Sequence, residues 1–417
     1  MNHQKRLSIK GRWSIRAVVL LVIIYEFQSP RLLGEVRLAS AAATALAAIF
    51  VISRMRTIIK HSSALVAPPL IFFTLYLIIN CISFAWSYDP LNSLLHGATL
   101  FTFLLLATSY ANVDSDEFAG EVVRVIVAIA VLSWVMVVLA KNVAVLPDIV
   151  WRLNGPMMHS QRLSLILSLA IICLTLLKVR SSAAIGRRAW AAYLAILVVT
   201  LVATQTRAFT FFCIVTVGYI IFWHVSILSR VALLSAFIAS VSAVLFNWEK
   251  VLESISRDGS NTMTLSGRTV AWENGIAMIQ ESPLLGYGFA SFNTDLTRDF
   301  FASGYIIPHA HNTWINAAFE TGVIGAGLMT TFMLAVLVNR KFFRPSYSEA
   351  LVLWVILSGL TGLILGGKIN PSAAIVMIFI AQTSLQNRMK TRRPEMNSKG
   401  QDNEPGYESK AASGQSW

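Results

Sequence analysis

The sequence predicts an all-α polytopic membrane protein of about 12 transmembrane helices, with one long external loop carrying short amphipathic helices. Three observations predict it. Of 417 residues, 55% are hydrophobic and 13% charged, with mean hydropathy +0.63. Soluble domains carry roughly 25% charged residues, a deficit too large for a buried core to explain. Twelve apolar runs recur at the length of about 17–25 residues that a bilayer requires. Finally, Lys and Arg divide unevenly between alternate ends of those runs.

The runs lie near 15–28, 36–53, 63–86, 91–111, 120–140, 159–177, 189–205, 208–226, 230–247, 313–338, 347–366 and 370–387. The first is short, interrupted by Glu26 and ended by Pro30. A cleaved signal peptide is the rival there, but Tyr25-Glu26-Phe27-Gln28 offers no small-residue cleavage site, so the run is read as a span. With the N-terminus inside, 23 of the 34 Lys and Arg fall on the cytoplasmic side and 11 outside. The positive-inside rule then places both termini in the cytoplasm. Asp114 to Glu121, with only Arg124 nearby in sequence, runs against that assignment.

Residues 1–387 are thus expected to form one transmembrane domain, with 248–312 as its long external loop. Trp272, Ile276 and Ile279 fall at helical spacing there, so 268–281 reads as an amphipathic helix ended by Pro283. Gly286 and Gly288 supply a turn. Residues 388–417 are polar without periodicity and read as a disordered cytoplasmic tail. Cys81, Cys173 and Cys213 all lie in apolar runs and read as small buried hydrophobes. The net charge of +13 is a topology signal, and no nucleic-acid motif accompanies it. Internal repeats, which would favour a transporter, are not apparent.

Four clusters on the external face carry candidate chemistry. The first is Arg152-Leu153-Asn154-Gly155-Pro156, leading to His159, Gln161 and Arg162; the second is Thr204-Gln205-Thr206-Arg207. The third, Ser266-Gly267-Arg268-Thr269, opens the loop helix. The fourth is His309-Ala310-His311-Asn312, followed by Gly322 and Gly325. Arginines at helix ends also snorkel to headgroups, which is the plainer reading of Arg152 and Arg162. Arg268 opposes the helix dipole at a helix start, so another group should hold it. His309 and His311 could bind a metal, but no further ligands stand at suitable spacing. Gly322 and Gly325 would let the helix approach a neighbour closely.

The string His311-Asn312, nine residues, then Gly322-x-x-Gly325 resembles the signature of the O-antigen ligase family. That family shares a superfamily with O-antigen and exopolysaccharide polymerases. The segment SGRTVAWENGIAMIQESPLLGYGFASF looks like the loop preceding that signature, and Arg152-x-x-Gly155 and Thr206-Arg207 fall in the expected order. Relatives often show an Asn shortly after the His of the Arg-x-x-Gly region, where this chain has Ser160 and Gln161.

The resemblance implies a glycosyltransferase of the bacterial inner membrane with a periplasmic site and no cofactor or metal. It would move a glycan from a polyprenyl-diphosphate donor to a sugar hydroxyl, polymerising exopolysaccharide or O-antigen repeat units. The acceptor would be glycan or, in the alternative of an O-antigen ligase, lipid A–core. Partners would be these substrates, membrane lipid and other polysaccharide assembly proteins. Arg207 and Arg268, with Arg152 third, suit the diphosphate. His311 suits the general base, with His309 supporting it. Asn312, Asn316 and Glu320 recur at four-residue spacing as a polar stripe. Glu320 would orient a histidine, bind acceptor sugar or make a helix contact; Thr206 and His159 are supporting polar groups. A lipid-linked oligosaccharide flippase is the alternative from another class, and it should carry charges at mid-depth in several spans rather than at one face.

Overall fold

The computed structural model describes residues 8–24, 36–146, 151–157, 159–180, 185–246, 268–300, 309–338, 345–365 and 371–401. These are almost wholly helical, and a helix lies in each of the twelve apolar runs. Two strands of two residues each, Val145–Leu146 and Arg152–Leu153, pair antiparallel beside the first cluster. Local chemistry sets several helix starts. Asp89 caps Pro90–Ser109 by accepting from the Asn92 amide, and Asp114 caps Ser115–Leu139 through the Asp116 and Glu117 amides. Ser346 and Glu349 form a reciprocal capping box on Tyr347–Gly359.

Among the described residues, five helices are long and apolar enough to cross a membrane. They are Pro90–Ser109, Ser115–Leu139, Ser160–Arg180, Arg207–His224 and Thr313–Val338, and a bent pair, Ala42–Ser53 with Met55–Ala64, makes a sixth if it is one span. Among the described residues helix length alone thus identifies five or six crossings, and the expected 12 is not tested by it. Other apolar runs hold bent or shorter helices. The chain turns by 70° at Arg54. Pro68-Pro69 delays the fourth helix to Leu70–Ile82. The helix in the run 347–366 stops at Gly359 because Leu360 to Ile364 turn to meet Thr313.

The Ser160–Arg180 helix is the axis of the bundle, buried on nearly all sides and packed against Ser115–Leu139, Arg187–Ala203, Arg207–His224 and Tyr347–Gly359. Aromatic pairs tie neighbouring helices: Phe73 with Phe332 at 5.0 Å, Phe118 with Phe379 at 5.1 Å and Tyr347 on Phe379 at 4.9 Å. Cys173 and Cys213 are buried free thiols, as their apolar surroundings suggested; Cys81 is half-buried.

At one end of the bundle the acids of 114–121 meet arginines distant in sequence. Arg12 pairs with Glu117, Arg16 and Arg124 with the fully buried Glu121, and Arg180 with Asp116. The acidic stretch that ran against the charge-based orientation is thus compensated by arginines of its own end. Helix Pro371–Gln401 continues through residues 388–401, where an irregular tail was expected. Gln386, Arg388, Met389 and Lys390 are good helix formers and carry it past the apolar run. Residues 402–417 lie outside the described residues.

Candidate active site

The opposite end holds the His309–Asn312 turn. Asn312 caps the helix that begins at Thr313, its side-chain oxygen accepting from the amides of Trp314 (2.9 Å) and Ile315 (3.1 Å). Its amide group donates to the Leu360 carbonyl at 3.3 Å. Thr313 Oγ donates to the Gly362 carbonyl at 3.0 Å and accepts from the Ile364 amide at 3.1 Å, so the turn before residue 365 braces the helix start. Ala310 N–H points to Asn316 Oδ1, and the Trp272 indole donates to the Ala310 carbonyl at 2.8 Å. Each neighbour of His311 is thereby fixed. His311 itself takes φ +51°, a left-handed conformation rare for a side chain of its size.

Trp272 belongs to the loop helix Arg268–Glu281, present at the expected boundaries. Its buried face, however, is Ala271, Gly275 and Met278, one position from the expected stripe, and Ile276 is 47% exposed. The small residues let the helix backbone approach Ile315, since a Cβ at Gly275 would stand 3.1 Å from its methyl group. Trp272 then reaches sideways to the histidine turn.

Three clusters converge on His311. Its Nδ1 is buried without a hydrogen-bond partner. Burial first, then the positive charge of Arg268 and then His159, lower its pKa from the ordinary value near 6.5 to about 4. The ring is therefore neutral, with a lone pair available, at any physiological pH. Arg268, half-buried at the helix start, is itself held below its ordinary pKa by burial. His309 lies beside His311, ring centroids 4.1 Å apart. Among the described residues no group of three His, Cys, Asp or Glu gathers that could hold a metal ion.

Other expected residues sit further out. Arg207 is an exposed residue opening the Arg207–His224 helix, after a turn in which Gln205 takes φ +51° and the Thr204 and Thr206 hydroxyls lie 2.8 Å apart. Its neighbour Phe209 packs under Gly362, whose carbonyl receives Thr313, so one short turn links the two helix starts. Arg152 is half-buried in the small hairpin, its Nε buried without a hydrogen-bond partner. Gly155 (φ +53°) there turns the chain against Ser133.

The polar stripe divides. Asn312 and Asn316 serve the histidine turn, but Glu320, 1% exposed, lies two helical turns from Thr313, about 10 Å away. It faces the buried Tyr76 of the neighbouring helix. Nor does the helix run on past it. Thr321 (φ −131°) and Gly322 (φ +64°, ψ −170°) break it. Gly322 is needed there because a Cβ would collide with the Leu284 carbonyl. Gly325 makes room for the Thr321 side chain of its own helix. The expected close approach of two helices at this glycine pair is thus corrected: the pair accommodates a break and a loop.

The fold and this site define a multi-pass membrane protein with a histidine turn and a half-buried arginine at one end of its bundle. Residues 192–330 match the family model described as O-Antigen ligase. The chain is also 32% identical over 101 residues to the exopolysaccharide production protein ExoQ of Rhizobium meliloti (strain 1021), a match covering 22% of this chain and 23% of that relative. The chain is therefore similar to the O-antigen ligase family over residues 192–330 and, over a shorter stretch, to an exopolysaccharide production protein. The matched family segment contains Arg207, Arg268, both histidines of the turn and the glycine pair.

Proposed function

We propose that the protein is a metal-independent glycosyltransferase that polymerises lipid-linked repeat units of exopolysaccharide or O-antigen at the external face of the inner membrane. The observation that carries this reading is the convergence of His311 with Arg268 and His159. A neutral imidazole beside a half-buried guanidinium suits a reaction that removes a proton from one partner while negative charge grows on the other. The acceptor hydroxyl oxygen would bond to the donor's anomeric carbon as that carbon's bond to the diphosphate oxygen breaks. His311 would take the hydroxyl proton, and Arg268 and Arg207 would hold the departing polyprenyl diphosphate.

Two findings favour different products. The relative's name, exopolysaccharide production protein, supports polymerisation. The family description, O-Antigen ligase, supports transfer of finished polymer to lipid A–core as the second reading. Deleting the protein distinguishes them. A polymerase deletion should accumulate single lipid-linked repeats and make no long polymer. Long polymer still attached to the polyprenyl carrier, beside bare lipid A–core, would establish the second reading instead.

The orientation assigned from charge puts the arginine–acid patch in the cytoplasm and the histidine turn outside. Single cysteines at Ser260 and Ser409 test it with an impermeant thiol reagent on intact cells. Labelling is expected at 260 alone; labelling at 409 alone would invert the protein and place the site in the wrong compartment.

A further inference from the structure

The break at Thr321–Gly322 is held from outside its own helix. Tyr287 N–H donates to the Phe319 carbonyl (2.9 Å), Gly288 N–H to the Glu320 carbonyl (2.9 Å), and Val323 N–H to the Pro283 carbonyl (2.8 Å). These are main-chain groups that the break leaves without helical partners, now satisfied by residues 283–288. Gly286, at positive φ, admits the close approach to the break, and Gly288, also at positive φ, lets the segment lie against Ser87.

That segment is held in turn by the short connection after the Leu70–Ile82 helix and by the first turn of the Pro90–Ser109 helix that follows it. Ser93 Oγ donates to the Phe289 carbonyl (2.5 Å), and the Phe289 amide donates to Ser83 Oγ (2.9 Å). Asn92 Nδ2 donates to the Ala290 carbonyl (3.0 Å), the Trp86 indole to the Leu285 carbonyl (3.1 Å), and the Tyr88 amide to the Tyr287 carbonyl (3.1 Å). Ala290 takes φ +60°, a left-handed conformation that an L side chain resists. Strain of this kind persists only where the surroundings over-determine it.

We infer that Ser83, Asn92 and Ser93 are positioning residues for the transfer reaction. Through residues 284–290 they hold the break, and the break fixes the Thr313–Glu320 helix whose start carries His311. The inference rests on the proposed role of His311, but the clamp itself has a readout independent of activity. A half-buried surface asparagine that served only local packing would leave a helix more than two hundred positions away undisturbed.

The test uses the full-length purified protein, with hydrogen–deuterium exchange and turnover measured together. Asn92→Ala and Ser93→Ala should speed exchange at Tyr287, Gly288 and Val323 and leave the 160–180 helix unchanged. Turnover should fall about 10- to 100-fold, since a base displaced by about 1 Å can lose that much. Donor binding should change little, so the loss appears in kcat. Asn92 is half-buried at the surface, so its alanine variant keeps the bundle intact. Ala290→Gly, which removes the left-handed penalty, should restore much of the exchange protection and turnover of Asn92→Ala. Faster exchange with unchanged turnover would keep the clamp but overturn its positioning role in the reaction, whereas the role of His311 itself stands or falls with His311→Ala. Unchanged exchange in both alanine variants, or no rescue by glycine at 290, would overturn the positioning role.

Discussion

Replacing His311 with alanine should lower turnover about 10²–10⁴-fold, the usual contribution of a positioned general base, while the protein still inserts and accumulates. Its Nδ1 has no hydrogen-bond partner among the described residues, and the turn is held by Asn312, Thr313 and Trp272. His309→Ala should be milder, because His309 stands beside the base, ring centroids 4.1 Å apart, and supports it rather than taking the proton itself. The pH profile carries a sharper expectation. The imidazole works only while neutral, and in the free enzyme it protonates near pH 4 rather than near 6.5. Hence kcat/KM for the donor should hold through mild acidity and fall as pH drops through about 4. In the donor complex the diphosphate anion offsets Arg268, the imidazole becomes more basic, and kcat should begin to fall at higher pH. Chelators should have no effect. A His311→Ala enzyme with near-normal turnover, or one rescued by zinc, would end this assignment.

The sequence made some levels of the structure legible and left others hidden, for physical reasons. Apolar runs located a helix in each of twelve places because burial in lipid or protein demands the same composition. They could not say which helices cross unbroken, because the bend at Arg54 and the early stop at Gly359 depend on partners far along the chain. Arg268 as a helix start was readable, since helix-start signals act within one turn, whereas Asn312 was read only as the head of a polar stripe and the structure makes it the cap. The stripe Asn312, Asn316, Glu320 assumed one straight helix, and Gly322 breaks it where three main-chain bonds from 283–288 take over. Trp272 was read as part of an apolar face but acts through its indole N–H. Ser83, Asn92 and Ser93 were invisible because their partners are main-chain groups some two hundred positions away, an amide for Ser83 and carbonyls for Asn92 and Ser93, which leave no pattern in side chains.

Arg268→Ala should cost on the order of 10²-fold or more in turnover, by analogy with the loss of one donor to a developing oxyanion. Its position makes it the stronger of the two expected phosphate ligands. It is half-buried at a helix start, where both desolvation and the helix dipole disfavour a cation, and its pKa is lowered by that burial. An anion is the group that balances it, and the proposed diphosphate donor would supply one. Arg268→Lys should recover only part of the activity, because the planar two-pronged fork is lost. Arg207, exposed at its helix start, should show a smaller or equal loss and bind the diphosphate from the side facing the 360–364 turn. One further effect separates them. Arg268 is the largest charge neighbour depressing His311, so its removal should raise the base's pKa toward the ordinary value near 6.5. The acid limb of kcat/KM should then move up in Arg268→Ala and stay in place in Arg207→Ala. Normal turnover with an unmoved acid limb in Arg268→Ala would show that this arginine serves neither the diphosphate nor the base.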